Sequence, residues 1–162
     1  ACDTVPGISA AQGAAASAGI PLTHRDHAAM LVFATGHLQG EEGERTVALD
    51  WAALARPRQT VVIYMGVGTL PIICAQLIAH GLPASTPAAM IERATLPGQR
   101  SIVGTLQTLP QLSVAYGVNP PALVMIGDTV ALHARIGSSA EVLTGFPAVV
   151  DAASPQALAC TA

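Results

Sequence analysis

Apolar positions in this chain come in short blocks divided by Gly, Pro and small polar residues. The clearest block is 60–65, Thr-Val-Val-Ile-Tyr-Met, β-branched and uncharged, the pattern of a strand buried on both faces. Blocks at 28–35, 87–92, 101–104 and 122–126 read as further strands. Helical segments fall between them. Ser9-Ala10-Ala11-Gln12 has capping-box spacing and opens an Ala-rich helix to about Ala18, which Gly19-Ile20-Pro21 ends. Asp50 is placed to cap a short helix at 51–55, and Thr69 to cap a longer one at 70–80 that stops before Gly81. Thr108 opens a helix to about Tyr116, with Gly117 as its stop, and 130–136 reads as a last helix. Residues 3–5 read as the end of a strand or the link after one, and the polar stretch 40–50 as the most exposed loop. From Gly137 onward the residues are small, Ala-rich and without clear periodicity, the pattern of a loosely held tail.

Strands alternating with helices predict an α/β fold. The short link 93–100 suits a hairpin, so the expected sheet is mixed, with about five strands flanked by helices. The chain divides on this reading into one α/β domain, 1–136, and a tail, 137–162. Composition narrows the class. Of 162 residues 51% are apolar and only 10% charged, which excludes a disordered chain. No Asp, Glu, Lys or Arg occurs from Gln59 to Ile91, and 61–79 is long enough to cross a bilayer. Gly66, Gly68 and Pro71 interrupt that stretch, so a buried strand, a turn and a Pro-started helix are expected instead of a membrane span. The chain has no Lys and a net charge of −3, which argues against a basic nucleic-acid face. Cys2, Cys74 and Cys160 are odd in number and far apart, as expected of free thiols in a reducing compartment such as the cytoplasm, and no metal-ligand spacing is present. The first residue is Ala1, without a basic or apolar leader, and the chain is expected to begin inside a longer protein.

No general catalytic motif is present: there is no G-x-S-x-G, no Walker loop and no H-E-x-x-H. The candidate chemistry sits at glycine turns, where open α/β sheets bind ligands. In Val5-Pro6-Gly7-Ile8-Ser9, Gly7 permits close approach of a ligand and the following helix start offers free N–H groups, although an ordinary connection would read the same. Met65, before Gly66, is a flexible polarizable side chain suited to an adenine or tetrapyrrole surface, or a plain core methionine. His24-Arg25-Asp26-His27 gathers polar groups; Arg25 fits a substrate carboxylate, or pairs with Asp26 in a solvated turn. His37 after Thr35-Gly36 serves likewise, or caps a strand end.

In their order these segments resemble the uroporphyrinogen-III C-methyltransferases of the tetrapyrrole methylase superfamily. The resemblance is carried by 5–10, by Gly19-Ile20-Pro21-Leu22-Thr23-His24-Arg25, by Thr35-Gly36-His37, by Asp50-Trp51, and by 60–66, 87–95 and 121–127, so it covers about 4–135. It implies the C-terminal α/β domain of a two-domain homodimeric enzyme, with S-adenosylmethionine in the cleft between domains. It also implies two methyl transfers to uroporphyrinogen III, giving precorrin-2 for siroheme or cobalamin synthesis. Carried over by residue, Pro6, Gly7, Ser9, Ala10, Met65 and Ala94 are expected on the donor; Ala94 stands where many relatives have Gly. Arg25, His24 and His37 are the expected contacts of the eight-carboxylate macrocycle, with Arg93 and Arg100 as further candidates. The family's Gly-Gly-Asp-Pro donor loop is not found in this chain, so the chain alone is expected to carry part of a site and no turnover.

Overall fold

The computed structural model describes residues 2–38, 46–137 and 141–145. Most of the expected loop 40–50 and most of the tail therefore lie outside the described residues, as does Cys160. The β-branched block forms β2 (Gln59–Tyr64), buried along nearly its whole length. Around it lie β1 (Met30–Thr35), β3 (Pro87–Glu92), β4 (Arg100–Thr105), β5 (Ala122–Ile126) and β6 (Glu141–Thr144), in the spatial order β1-β2-β5-β3-β4-β6. β1 runs parallel to β2, β5 antiparallel to both β2 and β3, and β4 parallel to β6. β3 and β4 form the expected hairpin, Glu92 facing Arg100 at its closed end and Pro87 facing Thr105 at its open end. The two uncharged strands β2 and β5 lie side by side inside the sheet, buried except at Tyr64 and Ala122 at the cleft end.

The sheet is mixed, as expected, but has six strands where about five were foreseen. The sixth lies past Ile136, in the stretch read as a tail. Only four residues long and exposed at both ends, β6 carries too short an alternation to be recognised; its ladder to β4, Arg100↔Glu141 to Val103↔Thr144, holds it. Residues 3–5 belong to no strand and form the link before the first helix.

Helices cover both faces. α1 (Ala10–Ala18) packs Ala11, Ala14, Ala15 and Ala18 onto Val62, Ala89, Ile91, Leu123 and Met125. Methyl side chains let this helix lie close to the sheet. α2 (Trp51–Leu54), α3 (Leu70–Ala79) and α4 (Leu109–Ala115) cover the other face, over Val61, Ile63, Met90, Ile102 and Val124. On α3, Leu70, Ile73 and Leu77 recur at helical spacing and are fully buried. Each such side chain contributes about 1.5–3 kcal/mol by leaving water. The last helix is split into a 3-10 turn, Asp128–Leu132, and a short α5, His133–Ile136. Among the described residues no helix is long and apolar enough to cross a membrane.

The side-chain caps read from the sequence form at α1 and α2, whereas the threonines opening α3 and α4 make no side-chain cap bond. At α1 the capping box is complete, Ser9 N donating to Gln12 Oε1 at 2.8 Å and Gln12 N to Ser9 Oγ at 3.4 Å. Gly19 closes the helix at φ 66°, where a Cβ would meet the Gly137 carbonyl oxygen. Asp50 Oδ1 accepts from Ala53 N at 2.9 Å. Thr69 does not cap α3 with its side chain; its hydroxyl donates instead to Gly36 O at 2.7 Å, tying the end of β1 to the start of α3.

Cys74 lies on the buried face of α3, and burial pushes its thiol up from 9.0 to about 12. Such a thiol stays protonated and unreactive at neutral pH. Below the unfolded value both states hold the proton, and Cys74 adds no pH dependence. Between the two values the unfolded chain binds fewer protons than the folded one, so stability falls as pH rises, by at most about 1.4 kcal/mol per unit. Urea unfolding followed between about pH 9 and pH 11 should therefore show a shallower alkaline loss for Cys74→Ala than for the wild type. Equal slopes would place the alkaline sensitivity in other groups.

Candidate functional site

The strand directions put the C-terminal ends of β1, β2 and β3 at one edge of the sheet, where β4 and β5 begin. A cleft of about 510 Å³ opens there, within the ~300–1,000 Å³ typical of small-molecule sites. Ala10 of α1 forms one wall, Tyr64 and Met65 at the end of β2 another, and Arg93 and Ala94 after β3 a third. Pro121 and Leu123 at the start of β5 complete the lining with Ile91 and Leu96. The surface is predominantly apolar, with the Tyr64 hydroxyl and the Arg93 guanidinium as its charged or polar side-chain groups.

Of the four left-handed non-glycine residues among those described, three lie at this rim and the fourth is Arg58, before β2. Met65, Arg93 and Thr95 have φ of 54°, 51° and 66°, a left-handed conformation costing a non-glycine residue on the order of 1–3 kcal/mol. Hydrogen bonds hold two of the three: Arg93 N donates to Pro121 O at 2.9 Å, and Thr95 N to Gln99 Oε1 at 2.6 Å. Met65 is held through its neighbour Gly66. A Cβ on Gly36 would lie 2.9 Å from Gly66 Cα, so the ends of β1 and β2 meet backbone to backbone. The turn leaves the Met65 side chain 63% exposed at the cleft. Tyr64 joins two walls: its Oη accepts from Ala11 N at 3.1 Å, and its ring meets Phe33 edge-on at 6.2 Å.

Glu92, at the end of β3, is 6% exposed. Arg100 Nε donates to its Oε2 at 2.7 Å, Arg100 Nη2 lies 2.5 Å from the same oxygen, and Asn119 N donates to Oε1 at 2.9 Å. Arg100 Nη1 also donates to Tyr116 O at 3.0 Å. One carboxylate thus fixes the base of the β3–β4 hairpin and the entry to β5, both of which line the cleft. Charge-assisted bonds to both oxygens offset the cost of burying it.

The structure brings together Ala10, Met65 and Ala94 of the expected donor residues, with Arg93 beside them. Ser9 stands one residue before Ala10 and spends its side chain on the α1 cap. Pro6 and Gly7 are exposed, outside the cleft lining, and a Cβ on Gly7 would meet nothing within 4 Å. His37 follows β1 at the same edge and is exposed. His24 and Arg25 are not brought to the cleft. They precede β1, at the opposite edge of the sheet, because α1 carries the chain back across it. There Arg58 donates to Arg25 O at 2.9 Å and to Asp26 O at 3.1 Å. The Asp26 carboxylate lies 3.9 Å from His24 Nδ1, which also accepts from Asp26 N at 3.2 Å, and no Arg25–Asp26 pair is formed among the described residues. Arg100 is held by Glu92 and carries no free guanidinium for a substrate. Sequence reasoning overlooked Glu92, Arg58 and Asn119. The signal for Glu92 was its place: it is the first charge after the uncharged run 59–91, with Arg100 across a hairpin. Among the described residues no three His, Cys, Asp or Glu side chains gather as a metal site.

Comparison with known proteins bears on the family and the fold. The family model described as Tetrapyrrole (Corrin/Porphyrin) Methylases matches residues 1–110. A siroheme synthase of Nitrosomonas europaea is 53% identical over 132 residues, 82% of this chain and 27% of that protein. The chain spans less than a third of the length of the curated relatives it matches. A uroporphyrin-III C-methyl transferase from Thermus thermophilus, solved with S-adenyl homocysteine, is 31% identical at a TM-score of 0.64, over 80% of this chain and 52% of that one. A cobalt precorrin-4 methyltransferase of cobalamin biosynthesis superposes at a TM-score of 0.67 with 22% identity, over 78% of this chain and 52% of that one, a likeness of fold.

Removing the charge of Glu92 leaves Arg100 unpaired and partly buried. A fully buried pair broken in this way costs about 3–5 kcal/mol and an exposed one ~0–1. With Arg100 at 29% side-chain exposure, Glu92→Gln should lower the unfolding free energy by about 2–3 kcal/mol, measured by denaturant titration. A loss below about 0.5 kcal/mol would reduce the network to a surface pair.

Proposed function

The chain belongs to the tetrapyrrole methylase family, and from that membership we propose that it carries the donor-binding part of an S-adenosylmethionine-dependent uroporphyrinogen-III C-methyltransferase, forming precorrin-2. The single observation that carries this reading is the convergence of Ala10, Met65 and Ala94, distant in sequence, on one apolar cleft. The residues present suit the donor. Ile91, Leu96 and Leu123 offer apolar walls for a nucleoside, and the polarizable Met65 sulfur suits a ring edge.

When bound, the donor would supply an electrophilic methyl to a ring carbon of the macrocycle: the new C–C bond would form as the S–C pair returned to sulfur, leaving S-adenosylhomocysteine, and the alkylated ring would give up a proton to solvent. The work of this chain is to bind and orient. Apolar walls exclude water from the donor, and fixed geometry replaces a bimolecular encounter. At the same edge Arg93 and His37 are the groups available to macrocycle carboxylates. Arg25 and His24, expected in that role, would have to act from the opposite edge. The working enzyme on this reading is a cytoplasmic homodimer that includes the rest of the longer protein.

Two measurements on the full-length enzyme test the proposal. Met65→Ala should weaken S-adenosylhomocysteine binding about three- to tenfold by calorimetry. Its stability should change by less than about 1 kcal/mol, because the side chain is largely exposed. Unchanged affinity removes Met65 from the donor site. Separately, Arg93→Ala should raise the KM for uroporphyrinogen III about tenfold, the effect of losing one charge-assisted hydrogen bond. Arg25→Ala should leave that KM within about twofold. The reverse order would move the macrocycle to the opposite edge of the sheet.

A further inference from the structure

We infer that Tyr64 is a positioning residue for the methyl donor, its hydroxyl clamping the start of α1 to the end of β2 and so fixing the spacing of the two cleft walls that carry Ala10 and Met65. The inference rests on the donor reading of the cleft and goes beyond it in assigning a role to a residue that touches both walls.

Three observations carry it. Tyr64 lines the cleft itself and is covalently joined to Met65. Its Oη accepts from Ala11 N at 3.1 Å, across 53 residues of sequence, and Ala11 is covalently joined to Ala10 on the facing wall. The Ala11 amide is one of the first-turn N–H groups that no helical carbonyl can satisfy; the capping box takes the Gln12 and Ser9 amides and leaves this one to the phenol. The helix therefore obtains part of its cap from the strand end that forms the opposite wall. The methyl side chains of α1 make this clamp consequential. They pack the helix closely but interlock weakly, so the hydroxyl resists its sliding along the sheet at the cleft end. The ring has a separate anchor, the edge-on contact with Phe33, which Tyr64→Phe would keep.

An acceptor on a helix N-terminal amide also makes the phenol a better donor, because hydrogen bonds in series polarise one another. Tyr64 can thus offer its own proton to an acceptor atom of the ligand without giving up the clamp. Either way the loss of one oxygen atom should be read in donor affinity while the fold is kept.

The test uses the full-length protein and Tyr64→Phe. Calorimetry with S-adenosylhomocysteine should give a dissociation constant raised about three- to tenfold, the range expected for one hydrogen bond. In steady-state kinetics the donor KM should rise by a similar factor, with the KM for uroporphyrinogen III within about twofold of the wild type. Hydrogen exchange at the Ala11 amide should accelerate while exchange in β2 and β5 is unchanged. An unchanged dissociation constant overturns the proposal. So does a variant that fails to fold, or one that loses both affinities in parallel, since either places the hydroxyl in general stability. If the wild type binds no S-adenosylhomocysteine, the donor reading of the cleft fails first, and that outcome is distinct from a wild type that binds and a variant that binds equally well.

Discussion

The buried carboxylate of Glu92 is the constraint on which the cleft depends. It ends β3 inside an otherwise uncharged part of the chain, where an unpaired charge would cost several kcal/mol. Its three short contacts come from two segments, Arg100 at the start of β4 and the Asn119 amide before β5. Loss of Arg100 would leave Oε2, and loss of the Asn119 contact would leave Oε1, without the donor these bonds supply. The hairpin end and the β5 entry are consequently coupled, and both present residues to the same cavity. The guanidinium extends the coupling to the end of α4 through Tyr116 O.

Strain is the second feature of this edge. Three left-handed non-glycine residues together cost several kcal/mol, a large fraction of the 5–15 kcal/mol by which a domain of this size is stable. Such a conformation persists only where neighbouring contacts over-determine it. The Glu92 network and the Arg93 N to Pro121 O bond supply that determination for the β3 turn. The close meeting of Gly36 and Gly66 supplies it for the β2 turn. Electrostatic satisfaction in one place thus holds an unfavourable backbone in another, and the product is a cleft whose walls are set before any ligand arrives.

Much of the fold was legible because its central strands are uninterrupted apolar blocks and its helices open on recognisable caps. Ser9-Ala10-Ala11-Gln12 formed the full capping box, and the short link after Glu92 formed the hairpin. β6 was not legible, since four residues cannot show a period and its pairing with β4 is a tertiary fact. Thr69 is the N-cap residue as read, but a cap position says where a hydroxyl sits and nothing about another acceptor, here Gly36 O. The site was legible in part. Met65, Ala10 and Ala94 were pointed out by resemblance to a family, and no local pattern would have joined them. Arg25 and His24, expected on the macrocycle by resemblance, do not line this cleft, and the chain's path says why. A nine-residue helix rises about 13.5 Å, most of the length of a strand. A chain that leaves the cleft along α1 must reach 24–25 at the far edge.

Ala94 illustrates how the strain pattern selects side chains. Its family resemblance puts glycine at this position in many relatives, which would suggest a left-handed residue that a Cβ could not tolerate. In this chain the left-handed residues are its neighbours, Arg93 and Thr95, while Ala94 itself is not among them. A methyl at 94 therefore carries no backbone penalty, and it packs half-buried beside the cluster of Ile91 and Leu123 while still lining the cleft. What the position restricts is size. Ala94 lines the cleft, so a longer side chain there would take up cleft volume, whereas a methyl only adds apolar surface to the wall. The glycine-to-alanine departure is thus compatible with the same backbone path, because the two flanking residues carry the turn.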